Sequence, residues 1–237
     1  MKLKYFIVFI LLITCFPVFG QTTEYKKIKL SLSAGMDYPI GTSDTPGVGS
    51  EIILPFSKGF SATFDGAYFF MKNYGVGLKY HYFSAKVKNE WQQIRPNEKY
   101  VEFTFNETTQ FIGPAFYVIC TLSDSKWEIP ANIGIGYVYN KISNHHEKVY
   151  EFATPNFPDM KHYGITDMTS NTAGVVISAG IRYRITPTVN VDVYTDGMFS
   201  NTKKQNITNI LLNEPATIDV SRKMNRIGFS AGLNFNF

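Results

Sequence analysis

Three groups of side chains in this 237-residue chain could do chemistry. The stretch "NHHEK" sets His145 and His146 beside Glu147, with His162 further on, residue types that can hold a metal or sense pH. Adjacent histidines in a long polar stretch are more often solvated than ligating, so neither a metal nor a cofactor is expected. His81 and Ser84 lie three residues apart in an alternating segment, which turns them to opposite faces and leaves no simple nucleophile–base pair. The third group is a set of charges on the small, polar face of otherwise apolar segments: Lys29, Asp37, Asp65, Lys79, Arg182, Arg184, Asp192, Asp196 and Arg226. Enclosed charges must pair or neutralise. None of the three groups marks catalytic residues, and the chain is not expected to be an enzyme.

The elements that must position these charges are strands. Alternation of apolar and small polar residues recurs about eight times. "KIKLSLSAGMDYP" puts Ile28, Leu30, Leu32, Ala34, Met36 and Tyr38 on one face. "FSATFDGAYFF" does so with Ala62, Phe64, Gly66, Tyr68 and Phe70, and "YGVGLKYHYFS" with Tyr74, Val76, Leu78, Tyr80 and Tyr82. A fourth segment, "TTQFIGPAFYVI", is weaker because both its faces are apolar. "IPANIGIGYVYN", "AGVVISAGIRYRI", "TVNVDVYTDG" and the closing "NRIGFSAGLNFNF" complete the set. Short connections at 71–73, 122–126 and 186–187 alternate with long polar stretches at 41–58, 89–106, 144–170 and 201–222, read as loops. One end of the molecule therefore carries tight turns and the other long connections.

Composition narrows the class. The net charge of +4 comes without a Lys/Arg stripe or reading motif, so nucleic acid is not an expected partner. At the start, Lys2 and Lys4 precede an apolar run from Phe6 to Phe16 that Pro17 breaks, and Val18-Phe19-Gly20 precedes Gln21. This is the layout of a secretory signal peptide over residues 1–20, with cleavage after Gly20. A lipoprotein signal at Cys15 is the rival, disfavoured by Thr14. The segment 21–237 then forms one domain whose only cysteine, Cys120, serves as small filler and has no disulfide partner. Asn106-Glu107-Thr108 and Asn206-Ile207-Thr208 match a glycosylation pattern that arises readily by chance.

Alternation alone does not say which face is outside, since a soluble ligand-binding barrel alternates too. Four features favour apolar-out. The strands are long enough to cross a bilayer at a tilt. The polar face is mostly Gly, Ser, Thr and Asn, which suits the cramped interior of eight strands. Tyrosines crowd strand ends, at Tyr38, Tyr80, Tyr82, Tyr137 and Tyr139, where amphipathic rings meet a membrane interface. A closed barrel also satisfies its backbone in lipid. The expected fold is all-β, an eight-stranded antiparallel up-and-down transmembrane β-barrel. Ten strands, using "SEIILPF" and "KYVEFTF", are the alternative.

With its signal segment, its ordered strands, the hairpin "FFMKNYGVGLKYHYFS" and the ending "GLNFNF", the chain resembles small outer-membrane β-barrels of the OmpA/OmpX-like type, the porin family or outer membrane beta-barrel domain. The resemblance spans 21–237. It implies a Gram-negative outer-membrane location, contact with outer-membrane lipids, and a C-terminal signal, Phe235 and Phe237, for the barrel-assembly machinery. Some barrels of this size resemble lipid-modifying enzymes that place His and Ser together on a lipid-facing surface, and no such pair stands on an outward face here.

Strand parity places the nine charges inside. Reflection about residue 72 sets Asp65 opposite Lys79, and reflection about Pro187 sets Arg182 opposite Asp192. Arg226 is expected near the height of Asp196 and Asp37. Such pairs either fill a narrow interior or line an ion path, and eight strands leave room mainly for filling. Two roles follow as expectations. One is a structural or surface-interaction protein whose long external loops, 144–170 first, meet an external ligand of unknown identity. The other is a narrow channel for ions or small solutes.

Overall fold

The computed structural model describes residues 26–40, 58–95, 99–122, 126–154, 157–209 and 214–237. Among them are nine strand segments: β1 (Ile28–Pro39), β2 (Gly59–Phe69), β3 (Tyr74–Arg95), β4 (Lys99–Thr121), β5 (Trp127–Thr154), β6 (Phe157–Arg184), β7 (Val189–Asn209), β8 (Glu214–Lys223) and β9 (Arg226–Asn236). Each of β1 to β7 pairs antiparallel with the next. The final strand, β9, lies between β7 and β1 and closes an eight-stranded ring. The fold expected from the alternation is therefore the fold observed.

Closure runs to the end of the chain. The β1–β9 ladder extends from Lys29 opposite Asn236 to Pro39 opposite Arg226. Beyond it, Ile28 N–H donates to the Phe237 carbonyl at 3.2 Å and Phe237 N–H donates back to Ile28 at 2.8 Å. The ring is staggered as well as closed. Followed from Asp65 through β3 to β6, the register arrives at Ser200 on β7; followed through β1 and β9 it arrives at Asn190, ten residues lower. Such a shear tilts the strands and fixes the width of the interior.

The outward face is the apolar one throughout the ring. Leu32, Phe64, Leu78, Ile112, Ile135, Ile181, Val193 and Phe229 are all exposed, Ile135 by 63% and Phe229 by 58%. Inward positions carry small or polar residues, such as Ser31, Ser33, Ser61, Thr63, Asn132, Ser178 and Ser230, all buried. Tyr80, Tyr82, Tyr137 and Tyr139 face outward on β3 and β5.

Two sequence expectations need correction. The stretches 89–106, 144–170 and 201–222 are largely strand, not loop. β5 and β6 are 28 residues each, and β4 stays paired with β5 out to Lys99 opposite Glu151. Paired ribbons satisfy the backbone groups of these stretches with one another. His145 and His146 accordingly lie in β5 and His162 in β6. The second concerns ten strands: "KYVEFTF" is the outer part of β4 and adds no wall strand. The segment "SEIILPF", most of 41–58, Cys15 and residues 1–20 lie outside the described residues.

The inner wall needs glycine where strands coil tightly. A Cβ on Gly77, which faces inward opposite Ala67, would overlap the Gly66 carbonyl on β2, backbone that has little room to move away. A Cβ on outward Gly66 would meet Leu30 Cδ2 at 3.6 Å, an ordinary contact. Gly77→Val is therefore expected to lower the folded fraction sharply, and Gly66→Ala to leave it near wild type. Heat-dependent gel mobility after refolding into lipid vesicles reads both.

Candidate functional site: the barrel interior

All nine charges singled out above stand on the inward face. Lys79 and Asp65 are direct cross-strand partners on β3 and β2, and Lys79 Nζ lies 3.3 Å from both Asp65 carboxylate oxygens. Tyr117 on β4 donates its hydroxyl to Asp65 Oδ1 at 2.8 Å. Arg182 on β6 grips Asp192 on β7 through Nε at 2.7 Å and Nη2 at 2.8 Å, a bidentate pair whose geometry is among the strongest available to side chains. Tyr194 donates its hydroxyl to Asp192 Oδ2 at 3.2 Å. Glu128 on β5 takes Arg184 as its partner and lies 3.6 Å from Arg182 Nη1. Lys29 sits over the face of Phe69, 4.6 Å from its centroid.

Nearer the ribbons the pairing departs from expectation. Gly228, not Arg226, is level with both Asp37 on β1 and Asp196 on β7. Arg226 stands one inward step further on, beside Pro39 and Met198. From there it spans the interior to Glu107 on β4 at 2.7 Å and Thr109 at 3.2 Å, with its guanidinium carbon 3.6 Å from the centroid of Phe83. Asn140 on β5 donates to Glu107 Oε1 at 2.9 Å and to Thr109 at 2.8 Å. Asp196 instead accepts a hydrogen bond from Ser230 at 2.8 Å, and Asp37 meets His81 Nε2 at 2.9 Å. The reason is lateral distance: flanking strands bring backbones together, whereas an arginine long enough to cross the ring finds its carboxylate on the far wall.

Sequence reading passed over Glu107, Glu128, Tyr117 and Tyr194 as interior partners. Glu128 carried a usable signal, because the parity that turns Ile129 outward turns its neighbour inward. Glu107 was harder to place, because β4 buries Phe111, Tyr117 and Ile119 on its inward face while Ile112 and Phe116 face out. With both faces apolar, hydropathy assigns no inside.

The interior is packed. Ala67, Phe69, Ala115, Tyr117 and Ile119 form an apolar cluster toward the short-turn end. Phe111, Val138, Val176, Met198 and Met224 form another toward the ribbons. A cavity of ≈ 20 Å³, bounded by Lys29, Asp65, Tyr117, Asn132, Arg182 and Tyr194, has room for about one water molecule. His81 also meets Thr63 Oγ1 through Nδ1 at 2.9 Å, giving a hydroxyl–imidazole–carboxylate order that some hydrolases use. Here all three groups are at most 3% exposed, and the chain of bonds ties β1, β2 and β3 together inside the ring. Phe235 and Phe237 occupy a different surface, facing outward where β9 ends beside β1.

No family model matches the sequence, and no curated protein compared with it is similar enough to match. The structure is similar to that of the outer membrane protein OprG from Pseudomonas aeruginosa, at 12% identity and a TM-score of 0.53, covering 90% of this chain and 97% of that one. It is also similar to a major outer membrane protein from Thermus thermophilus (11% identity, TM-score 0.48, 89% and 99% covered) and to Neisserial surface protein A (13%, 0.46, 89% and 97%). The likeness to OprG is one of fold: this chain has the closed up-and-down architecture of the small outer-membrane barrels.

Removing one member of a buried pair leaves the other charged in a poor environment. Asp65→Ala is expected to cost about 3–5 kcal/mol of unfolding free energy, and Asp65→Ala with Lys79→Met together less than the single change. In double-mutant cycles by urea unfolding from vesicles, Arg226→Met and Glu107→Gln should couple strongly, and Arg226→Met and Asp196→Asn should be nearly additive. Strong coupling to Asp196 instead would place Arg226 against the wrong wall.

Proposed function

We propose that this chain is an integral bacterial outer-membrane protein, exported through residues 1–20 of a Gram-negative cell's precursor. Its sealed barrel is a rigid, non-enzymatic anchor for the β-ribbons, which make contacts outside the cell with a ligand that remains to be found. The observation that carries this reading is the combination of a continuous apolar belt outside with an interior filled by paired charges and two apolar clusters. An apolar belt around a closed ring suits lipid, because every wall strand finds its hydrogen bonds within the ring. The filling supports anchoring over conduction: ions need a hydrated path, and the cavity between the charges has room for about one water. Burial of Thr63, His81 and Asp37 supports a structural part for them rather than a catalytic one.

Refolded protein inserted in a planar bilayer is expected to be electrically silent, and Asp65→Ala and Arg226→Ala to open at most small leaks. Steady wild-type conductance altered by either substitution would move the channel reading to the front. For the assembly signal, Phe237→Ala is expected to refold normally into vesicles in vitro. In cells it should reach the outer membrane in reduced yield, measured by fractionation.

A further inference from the structure

Just beyond the tyrosines on the ribbon side, the outer wall of β3 to β6 changes character. Tyr82, Gln110 and Tyr139 form one row across β3, β4 and β5. The next outward row is Ser84, Thr108, Lys141 and Thr169, in direct register across four strands. The row after it is Lys86, Asn106 and Ser143. All of these side chains face outward and are exposed or half-exposed. Across β3, β4 and β5 the two rows hold two lysines, three hydroxyls and an amide, and no carboxylate. On β6 the first row ends in Thr169, and Asp167 stands one outward step beyond it, level with Ser143, so one carboxylate closes the β6 side of the patch. Strands lie ~4.8 Å apart and same-face residues ~7 Å apart along a strand, so two flexible lysine stems there can reach a common anion.

From this juxtaposition we infer that the β3–β6 wall holds a binding site for the phosphate group of a membrane lipid in the leaflet on the ribbon side. The inference rests on the membrane reading above. Charge complementarity selects an anion, and hydroxyl and amide donors around two ammonium groups suit phosphate oxygens. Position selects a lipid over a free anion. Directly below the patch, Leu78, Ile112, Ile135 and Tyr137 present an apolar wall on which the acyl chains of the same molecule can lie. The tyrosine row between occupies the headgroup boundary where such rings are favoured. Ligand and wall thus match along their whole length, charged group to lysines and chains to the belt.

The test uses the full mature chain refolded into phosphatidylcholine vesicles containing a minor fraction of phosphatidic acid, with flotation scored first. Native mass spectrometry of the released protein then counts retained phosphatidic acid. Wild type is expected to retain it, Lys86→Gln and Lys141→Gln each to weaken retention roughly fivefold, and the double variant more. Lys72→Gln, an equal charge change at the exposed short turn, should retain it as wild type does. Three results would overturn the inference while leaving the membrane reading intact. They are undiminished retention by the double variant, equal loss in Lys72→Gln, or inorganic phosphate displacing the lipid at concentrations similar to the lipid's own. Failure of the wild type to float with vesicles would overturn both.

Discussion

The hydrogen-bond ladder between β1 and β9 is the constraint on which the rest of the molecule depends. A sheet edge exposed to hydrocarbon leaves a row of unpaired amides and carbonyls, each costing several kcal/mol. Joining the last strand to the first removes both edges at once. The ladder uses the whole of β9, and reciprocal bonds between Ile28 and Phe237 carry it to the terminal residue. This explains why residues 226–236 form a regular strand with one apolar face. Closure also dictates the wall chemistry, since an eight-stranded ring with this stagger encloses little more than its own side chains.

What fills that interior follows from the same geometry. Direct cross-strand neighbours can be joined by short or medium side chains, as in Asp65–Lys79 and Arg182–Asp192. Links across the ring need length, and Arg226 supplies it by reaching Glu107 over the ring of Phe83. His81 joins β1 to β2 by bonding Asp37 and Thr63 at its two nitrogens. Each buried charge described is held by at least one opposite charge, hydrogen bond or aromatic face, which is the condition for keeping it inside at all. The result reads as internal bracing of a narrow ring, with two apolar clusters packed among the polar bonds.

Much of this was legible in the sequence, and the failures have physical causes. Period-two alternation fixed which residues of β1, β2, β3, β5 and β9 face outward, because one face of each is uniformly apolar. Hairpin symmetry about short turns found Asp65–Lys79 and Arg182–Asp192, because a tight turn leaves only one register. Arg226 was set against the wrong carboxylates because strand symmetry reports neighbours and says nothing about the opposite wall. The extent of β5 and β6 was missed because their outer halves mix His, Lys, Glu, Tyr and Pro without a clean period. Pairing between ribbons, not hydropathy, holds those halves extended.

The claim that the apolar face meets lipid is tested most directly by depth-resolved tryptophan quenching. With Trp91 and Trp127 replaced by Phe, a single tryptophan is placed at outward position 229 or at inward position 111, and the protein is refolded into vesicles of brominated lipid. Strong quenching at 229 with little at 111 is the expected result. Stronger quenching at 111, or none at either position, would contradict a barrel that turns its apolar face to the bilayer.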